Sequence, residues 1–136
     1  MTTVAAGVIV RAGAVLACQR RADGHHPLQW EFPGGKAEPG ESIAACLQRE
    51  LREELGIDAE IARELWFTEH TYPGREPIGL HFLLVSAYRG VETNRAFAQI
   101  RWLPVHALAA LAALDFLAGD REFIARLARG EISLTA

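Results

Sequence analysis

Residues 35–57 read Gly35-Lys-Ala-Glu-Pro-Gly-Glu41-Ser-Ile-Ala-Ala-Cys-Leu-Gln-Arg49-Glu50-Leu-Arg-Glu53-Glu54-Leu-Gly56-Ile57. No glycine or proline interrupts Glu41 to Leu55, and Gly56 follows where a helix ends on a left-handed residue, so this stretch predicts a helix over 41–55. At 100° per residue, Ala44, Leu47, Leu51 and Leu55 form one stripe that must face a core. With Glu50 as zero, ideal geometry puts Glu53 near about −60°, Glu54 near about +40° and the apolar stripe near about +105°. Three carboxylates therefore share one face. Like charges at these spacings repel by roughly 0.2–0.5 kcal/mol per pair, and they crowd the C-terminal half of the helix, where the macrodipole disfavours anions. Arg49, four residues before Glu53, relieves part of this. The alternative to a solvated acidic face is a divalent cation, and Mg²⁺ favours carboxylate oxygens together with phosphates and retained waters.

Outward from the helix, residues 22–40 carry Gly24, Pro27, Pro33, Gly34, Gly35, Pro39 and Gly40, a long glycine-rich loop with a short strand expected at Trp30-Glu31-Phe32. Val4–Arg11 and Ala14–Arg21 are β-rich runs joined by Ala12-Gly13, the mark of a hairpin. Further strands are expected over Ile57–Tyr72 and Pro77–Tyr88, around the Tyr72-Pro73-Gly74 turn, and over Phe97–Leu103. Two shorter helices complete the order, from Pro104 to about Leu114 and from Asp120 to Ala128, with Asp120 as N-cap. This order predicts an α/β protein with a mixed sheet flanked by helices, in one domain spanning residues 1–136.

Composition narrows the function. The chain has 136 residues, half of them apolar, enough for one core. Its 14 basic and 17 acidic residues give a net charge of −3, which argues against a diffuse basic surface for a nucleic-acid polymer. The acidity is local: residues 31–64 hold nine acids against four bases, a net of −5, and the remainder is +2. No 18-residue apolar run predicts a membrane span, and the N-terminus lacks the features of a signal peptide, so a cytoplasmic protein with no membrane partner is expected. Cys18 and Cys46 lack metal-ligand or disulfide-framework spacing and read as buried thiols.

Gly35, Glu41, Arg49-Glu50-Leu51, Glu53-Glu54 and Gly56-Ile57 match in full the pattern GX5EX7REUXEEXGU, where U is a bulky aliphatic. On these residues the sequence resembles the Nudix hydrolase family. The resemblance implies the Nudix fold, an α/β/α sandwich with a loop-helix catalytic motif, and Mg²⁺- or Mn²⁺-dependent cleavage of a nucleoside diphosphate linked to another group. It implies metal binding by Glu50, Glu53, Glu54 and the Gly34 carbonyl, with Arg49 orienting a glutamate. Glu50 fits the general base of the MutT-type precedent, while other family members place the base elsewhere. Gly35, Glu41 and Gly56 have structural roles.

Beyond the motif, Gln19-Arg20-Arg21-Ala22-Asp23-Gly24-His25, Trp30-Glu31-Phe32-Pro33-Gly34-Gly35-Lys36 and Phe116-Leu117-Ala118-Gly119-Asp120 are similar to MutT-type and CTP pyrophosphohydrolase-like enzymes. That likeness implies Arg20 and His25 as phosphate or sugar contacts, Phe32 as a pocket wall, Arg75 as a further pocket residue and Asp120 as a base reader. Its competing role as a simple N-cap stays open. One position departs from the pattern. Relatives commonly carry a glutamate six residues before Trp102, and this chain has Ala96, so either the site uses fewer protein ligands or Gln99, Glu92 or Glu38 compensates.

The expected reaction is conversion of a (deoxy)nucleoside triphosphate, damaged (8-oxo-dGTP-like) or pyrimidine, to monophosphate and pyrophosphate by a monomer or homodimer. Hydrolysis of ADP-ribose or a dinucleotide is the alternative within the class, and a nucleotide-binding module with weak catalysis is the alternative outside it. Trp30, Trp66, Trp102 and Phe82 could each stack a base, with core packing expected for most of them, and His81 is a candidate pocket residue, a strand histidine being more often structural.

Overall fold

The computed structural model describes residues 1–107 and 113–135. The elements in chain order are β1 (Thr2–Arg11), β2 (Ala14–Gln19), β3 (Trp30–Glu31), β4 (Gly34–Lys36), α1 (Ile43–Leu55), β5 (Asp58–His70), β6 (Ile78–Arg89), β7 (Gln99–Pro104), a 3₁₀ turn (Val105–Ala107) and α2 (Ala118–Ala128). β1 and β2 form the expected hairpin, and Ala12 (φ 49°) and Gly13 (φ 76°) supply the double positive φ that suits strand twist. β1 then runs parallel to β6, and such a pair needs a long crossover, which here carries α1. β5 is antiparallel to β6, β3 and β7 pair with β2, and β4 pairs with β1.

Alternation along β1 decides the layers. Ala5 and Ile9 face α1, where they meet Cys46, Leu47, Leu51 and Leu55; Ala6 and Val8 face the other side, where they meet Phe123, Ile124 and Leu127 of α2. The mixed sheet is thus covered on both faces, an α/β/α sandwich. On the α2 side Phe82 stacks on Phe123 with centroids 4.2 Å apart, and Phe32 meets both edge-on. Trp66 packs on the same pair. Phe82 is therefore a core residue, and half-buried Trp66 packs against that core.

Element ends differ from expectation for local reasons. α1 begins at Ile43 because the Ser42 hydroxyl caps it, accepting from Ala45 N–H at 3.1 Å, while Glu41 stays outside the helix. Gly56 closes it at φ 68°, its N–H donating to the Arg52 carbonyl. β4 was expected as loop, since a Gly-Gly-Lys run has low strand propensity; pairing with β1 imposes the extended form. The helix expected from Pro104 to about Leu114 falls largely on residues 108–112, outside the described residues; its start, 105–107, is a 3₁₀ turn.

Asp120 is not the N-cap of the last helix. Two hydrogen bonds tie β3 to the chain ahead of α2, Trp30 N–H to the Asp115 carbonyl (2.8 Å) and Leu117 N–H to the Trp30 carbonyl (2.9 Å), so the helix starts at Ala118 with Leu117 in the cap position. Asp120 becomes the third helical residue and is only 5% exposed. Burial, with Glu31 adding, pushes its carboxyl well above the usual carboxylate range against the opposing pull of the Phe32 N–H and Arg20.

Two outcomes are expected from this core. Leu51→Ala, at a fully buried site, should cost about 2–5 kcal/mol in urea unfolding, whereas Glu53→Gln on the exposed side of the same helix should stay within about 0.5 kcal/mol. For Asp120 the folded pKa exceeds the unfolded one, so its contribution is fully present below the unfolded pKa of about 3.9 and is lost as pH rises through the folded value. The urea midpoint of Asp120→Asn should therefore gain on that of the wild type as pH rises above about 4. A difference independent of pH would show that Asp120 ionises as freely folded as unfolded.

Candidate active site

Arg49 organises the junction between the glycine-rich loop and α1. Its guanidinium forks onto Glu41 (2.9 and 3.0 Å) and donates to Glu50 (3.0 Å) and to the Lys36 carbonyl (3.1 Å), with Glu53 at 3.5 Å. The bidentate pair holds the Glu41 carboxyl down at about 2. Glu41 also accepts from Glu38 N–H at 3.0 Å, so it ties the loop to the helix as its expected structural role requires.

The three helix glutamates point to three surroundings. Glu50 is 17% exposed on its side chain and lies over Gly35, where an added Cβ would fall 2.5 Å from its carboxyl carbon. A side chain at residue 35 would displace Glu50. Glu54 turns inward and accepts from Gly34 N–H at 3.0 Å. Gly34 has φ 152°, and a side chain there would collide with the Ala5 carbonyl, so only glycine lets β4 come this close to β1. Glu53 stays out in solvent at 59% side-chain exposure. Among the described residues no three Asp, Glu, His or Cys side chains converge as a ready coordination group. The helix face that the sequence suggested is thus divided: Glu50 is held close by Arg49, Glu54 accepts from a backbone N–H, and Glu53 is exposed with only a long contact to Arg49.

The donor chemistry nonetheless suits a hard divalent cation. Burial, with Glu31 and Glu50 adding, pushes Glu54 up to about 8, and burial also raises Glu50 and Glu31. Glu31 has Arg20 at 3.1 Å and Glu50 has Arg49, but no side-chain cation is paired with Glu54 among the described residues. Oxygen donors carrying excess negative charge are what Mg²⁺ and Mn²⁺ take.

Around this face the cleft has three parts. An apolar pocket of about 220 Å³ is lined by Phe32, Leu80, Ile78, Tyr72, Leu117 and Asp120, with Arg20 and Glu31 at its side. A compartment of about 210 Å³ lies between Glu31, Glu54, Arg20, Arg21 and His25 on one side and Ala96 and Phe97 on the other. A wider mouth of about 670 Å³ gathers Arg20, His25, His26, Lys36 and Arg75. There Arg75 donates to His25 Nδ1 at 3.2 Å, and Arg20 donates to the His25 carbonyl at 2.8 Å.

Arg20, His25, Phe32, Arg75 and Asp120 are therefore brought into one cleft. Glu54 borders it, whereas Glu50 and Glu53 line none of its three parts. None of the residues suggested to compensate for Ala96 borders the compartment. Gln99 donates to Gln19 (2.8 Å), Glu92 is held by Arg11, Tyr88 and Trp102, and Glu38 is 66% exposed, 3.8 Å from Arg49. The acid beside Ala96 is Glu31, which sequence reasoning counted in the acidic block without giving it a role. Tyr72 was missed too; its hydroxyl accepts from Gly119 N–H at 3.1 Å and its ring contacts His26 and His70. His81 pairs with Glu64, Trp102 lies under Arg11 and buried Trp30 lies near Arg101, so none of the three faces the cleft.

The sequence matches the family description "NUDIX domain" over residues 1–127. It is 42% identical to CTP pyrophosphohydrolase of Escherichia coli (strain K12) over 102 residues, 75% of each chain. It is 33% identical to 8-oxo-dGTP diphosphatase of the same organism over 127 residues, 93% of this chain and 95% of that one. The fold superposes on the solution structure of the E. coli ORF135 protein with a TM-score of 0.80 and 32% identity, covering 92% of this chain and 86% of that one. With its motif, layered sheet and loop-helix junction in place, the chain belongs to the Nudix hydrolase family, in its MutT-type branch.

Proposed function

We propose that this enzyme is a Mg²⁺- or Mn²⁺-dependent pyrophosphohydrolase that converts a nucleoside triphosphate to the monophosphate and pyrophosphate. The observation that carries this reading is the adjacency of an apolar pocket ending in a buried carboxyl and a face of oxygen donors, with Arg20 and Glu31 bordering both. A nucleobase fits the first and a phosphate chain the second. The relatives named for CTP and 8-oxo-dGTP support the same class.

In this reading Glu50, Glu53, Glu54 and the Gly34 carbonyl hold the cation. When bound, it supplies neutralisation of the phosphate charge and acidification of water. The chain's own groups do the rest. Arg49 fixes Glu50, and Glu50, raised by burial, takes a proton from the attacking water. One P–O bond of the anhydride breaks, and the elements of water are divided between the two products. Arg20, His25 and Arg75 contact phosphate or sugar, Phe32 forms the wall of the base pocket, and Asp120 reads the base. Burial shifts the Asp120 carboxyl toward its neutral form, which offers both a donor and an acceptor to a base edge. A cytoplasmic location and a monomeric or dimeric state belong to the same proposal.

A panel of nucleoside triphosphates, ADP-ribose and dinucleotides, assayed with Mg²⁺ for phosphate-containing products, tests this reading. Pyrophosphate and a monophosphate from a triphosphate are expected; efficient release of AMP and ribose phosphate from ADP-ribose would overturn it, as would saturable nucleotide binding without turnover. Glu53→Gln should lower turnover by about a hundredfold or more while leaving the fold intact, and normal turnover by that variant would remove Glu53 from the metal set.

A further inference from the structure

Arg20 and Glu31 line both the apolar pocket and the compartment beside Glu54, so a ligand occupying both must cross this ion pair. Two walls bound the compartment beyond it. One wall is the loop carrying Arg20, Arg21, Gly24 and His25; the other is Ala96 with Phe97. The second wall is held rigidly. Thr93 N–H and Arg95 N–H donate to the Leu55 and Glu54 carbonyls at the end of α1 (2.9 and 3.0 Å), and the Asn94 side chain accepts from Phe97 N–H (2.9 Å). Glu92 anchors the loop from behind through Arg11, Tyr88 and Trp102. The methyl group of Ala96 adds neither charge nor donor and leaves the compartment open, at about 210 Å³, the share of liquid taken by about seven waters.

The cations on the opposite wall are not equivalent. Arg20 is committed to Glu31 and to the His25 carbonyl. Arg21 is paired with Asp23 at 3.1 Å, but both side chains are largely exposed. Water and salt screen such a pair, and an incoming phosphate displaces the carboxylate because the guanidinium fork matches phosphate oxygens as well and the phosphate carries more charge. An anion entering here also passes Glu31 and Glu54, so it enters together with its divalent cation.

Resting on the triphosphate reading above, we propose that this compartment holds the two distal phosphates, the future pyrophosphate, and that Arg21 is the residue that recognises them. The base then lies on one side of the Arg20–Glu31 pair and the leaving group on the other. Arg21 thereby selects for phosphate chain length and is indifferent to the base.

Calorimetric titration with inorganic pyrophosphate and Mg²⁺, paired with product inhibition of triphosphate hydrolysis by pyrophosphate and by the nucleoside monophosphate, tests the assignment. Arg21→Ala should weaken pyrophosphate binding and inhibition about tenfold and leave inhibition by the monophosphate within about twofold. Arg21→Lys should recover part of the loss, and Ala96→Leu, which fills the compartment, should weaken pyrophosphate in the same way. Arg129→Ala, which removes an exposed charge at the far end of α2, should change neither. Equal loss for both products in Arg21→Ala, no loss for either, or the same loss in Arg129→Ala would overturn the assignment with the triphosphate reading still standing. A wild type that turns over no triphosphate would overturn both.

Discussion

A single guanidinium holds the junction of the glycine-rich loop, β4 and α1 in shape. Arg49 reaches Glu41 ahead of the helix, Glu50 beside it and the Lys36 carbonyl on β4, so loop, strand and helix are tied at one point. Without that cation, Glu50 and Glu53 would repel one another in the C-terminal half of the helix, where the macrodipole already disfavours anions, and Glu41 ahead of the helix would add to the repulsion on Glu50. With it, Glu41 stays ionised far below the usual carboxylate range and Glu50 is fixed over Gly35. The glycines follow from the same constraint. Gly35 leaves the space that Glu50 fills, and Gly34 allows β4 to lie against the Ala5 carbonyl while its N–H meets Glu54.

Arg49 does not compensate every carboxylate. Glu54 lies inside the cleft with one backbone donor and Glu31 for a neighbour, an arrangement that costs stability in the folded chain and leaves hard oxygen donors facing the cleft. The sandwich sets that cost beside two well-packed layers. Leu47, Leu51 and Leu55 anchor α1 to one face of the sheet, and the Phe32, Phe82 and Phe123 cluster anchors α2 to the other, so the strained face rests on elements that do not move to relieve it. The same aromatic layer builds the wall of the apolar pocket, which makes that pocket a continuation of the core.

Much of this was legible in the chain. The stripe at Leu47, Leu51 and Leu55, the clustered glutamates, the Ala12-Gly13 hairpin and the 23-residue motif pointed to the layered fold and to the helix that carries the chemistry. Local spacing determines these, because helix period, turn chemistry and cap residues act within a few positions. It failed where long-range contacts override it. Asp120 reads as an N-cap by type and position, yet two backbone bonds from Trp30 start the helix earlier and bury it.

The roles around Ala96 show the same division. Residue type alone left Gln99, Glu92 and Glu38 as stand-ins, and only the folded chain takes Glu92 into the Arg11–Tyr88–Trp102 anchor and sets Glu31, 65 positions away in sequence, beside Ala96. The sequence by itself determined which helix bears the carboxylates and which glycines must accompany it, since those depend on periodicity and steric room near the backbone. The tertiary structure decided which carboxylates are compensated, which are buried and which residues share the cleft, because charge pairing and desolvation depend on distances between elements that local spacing does not encode.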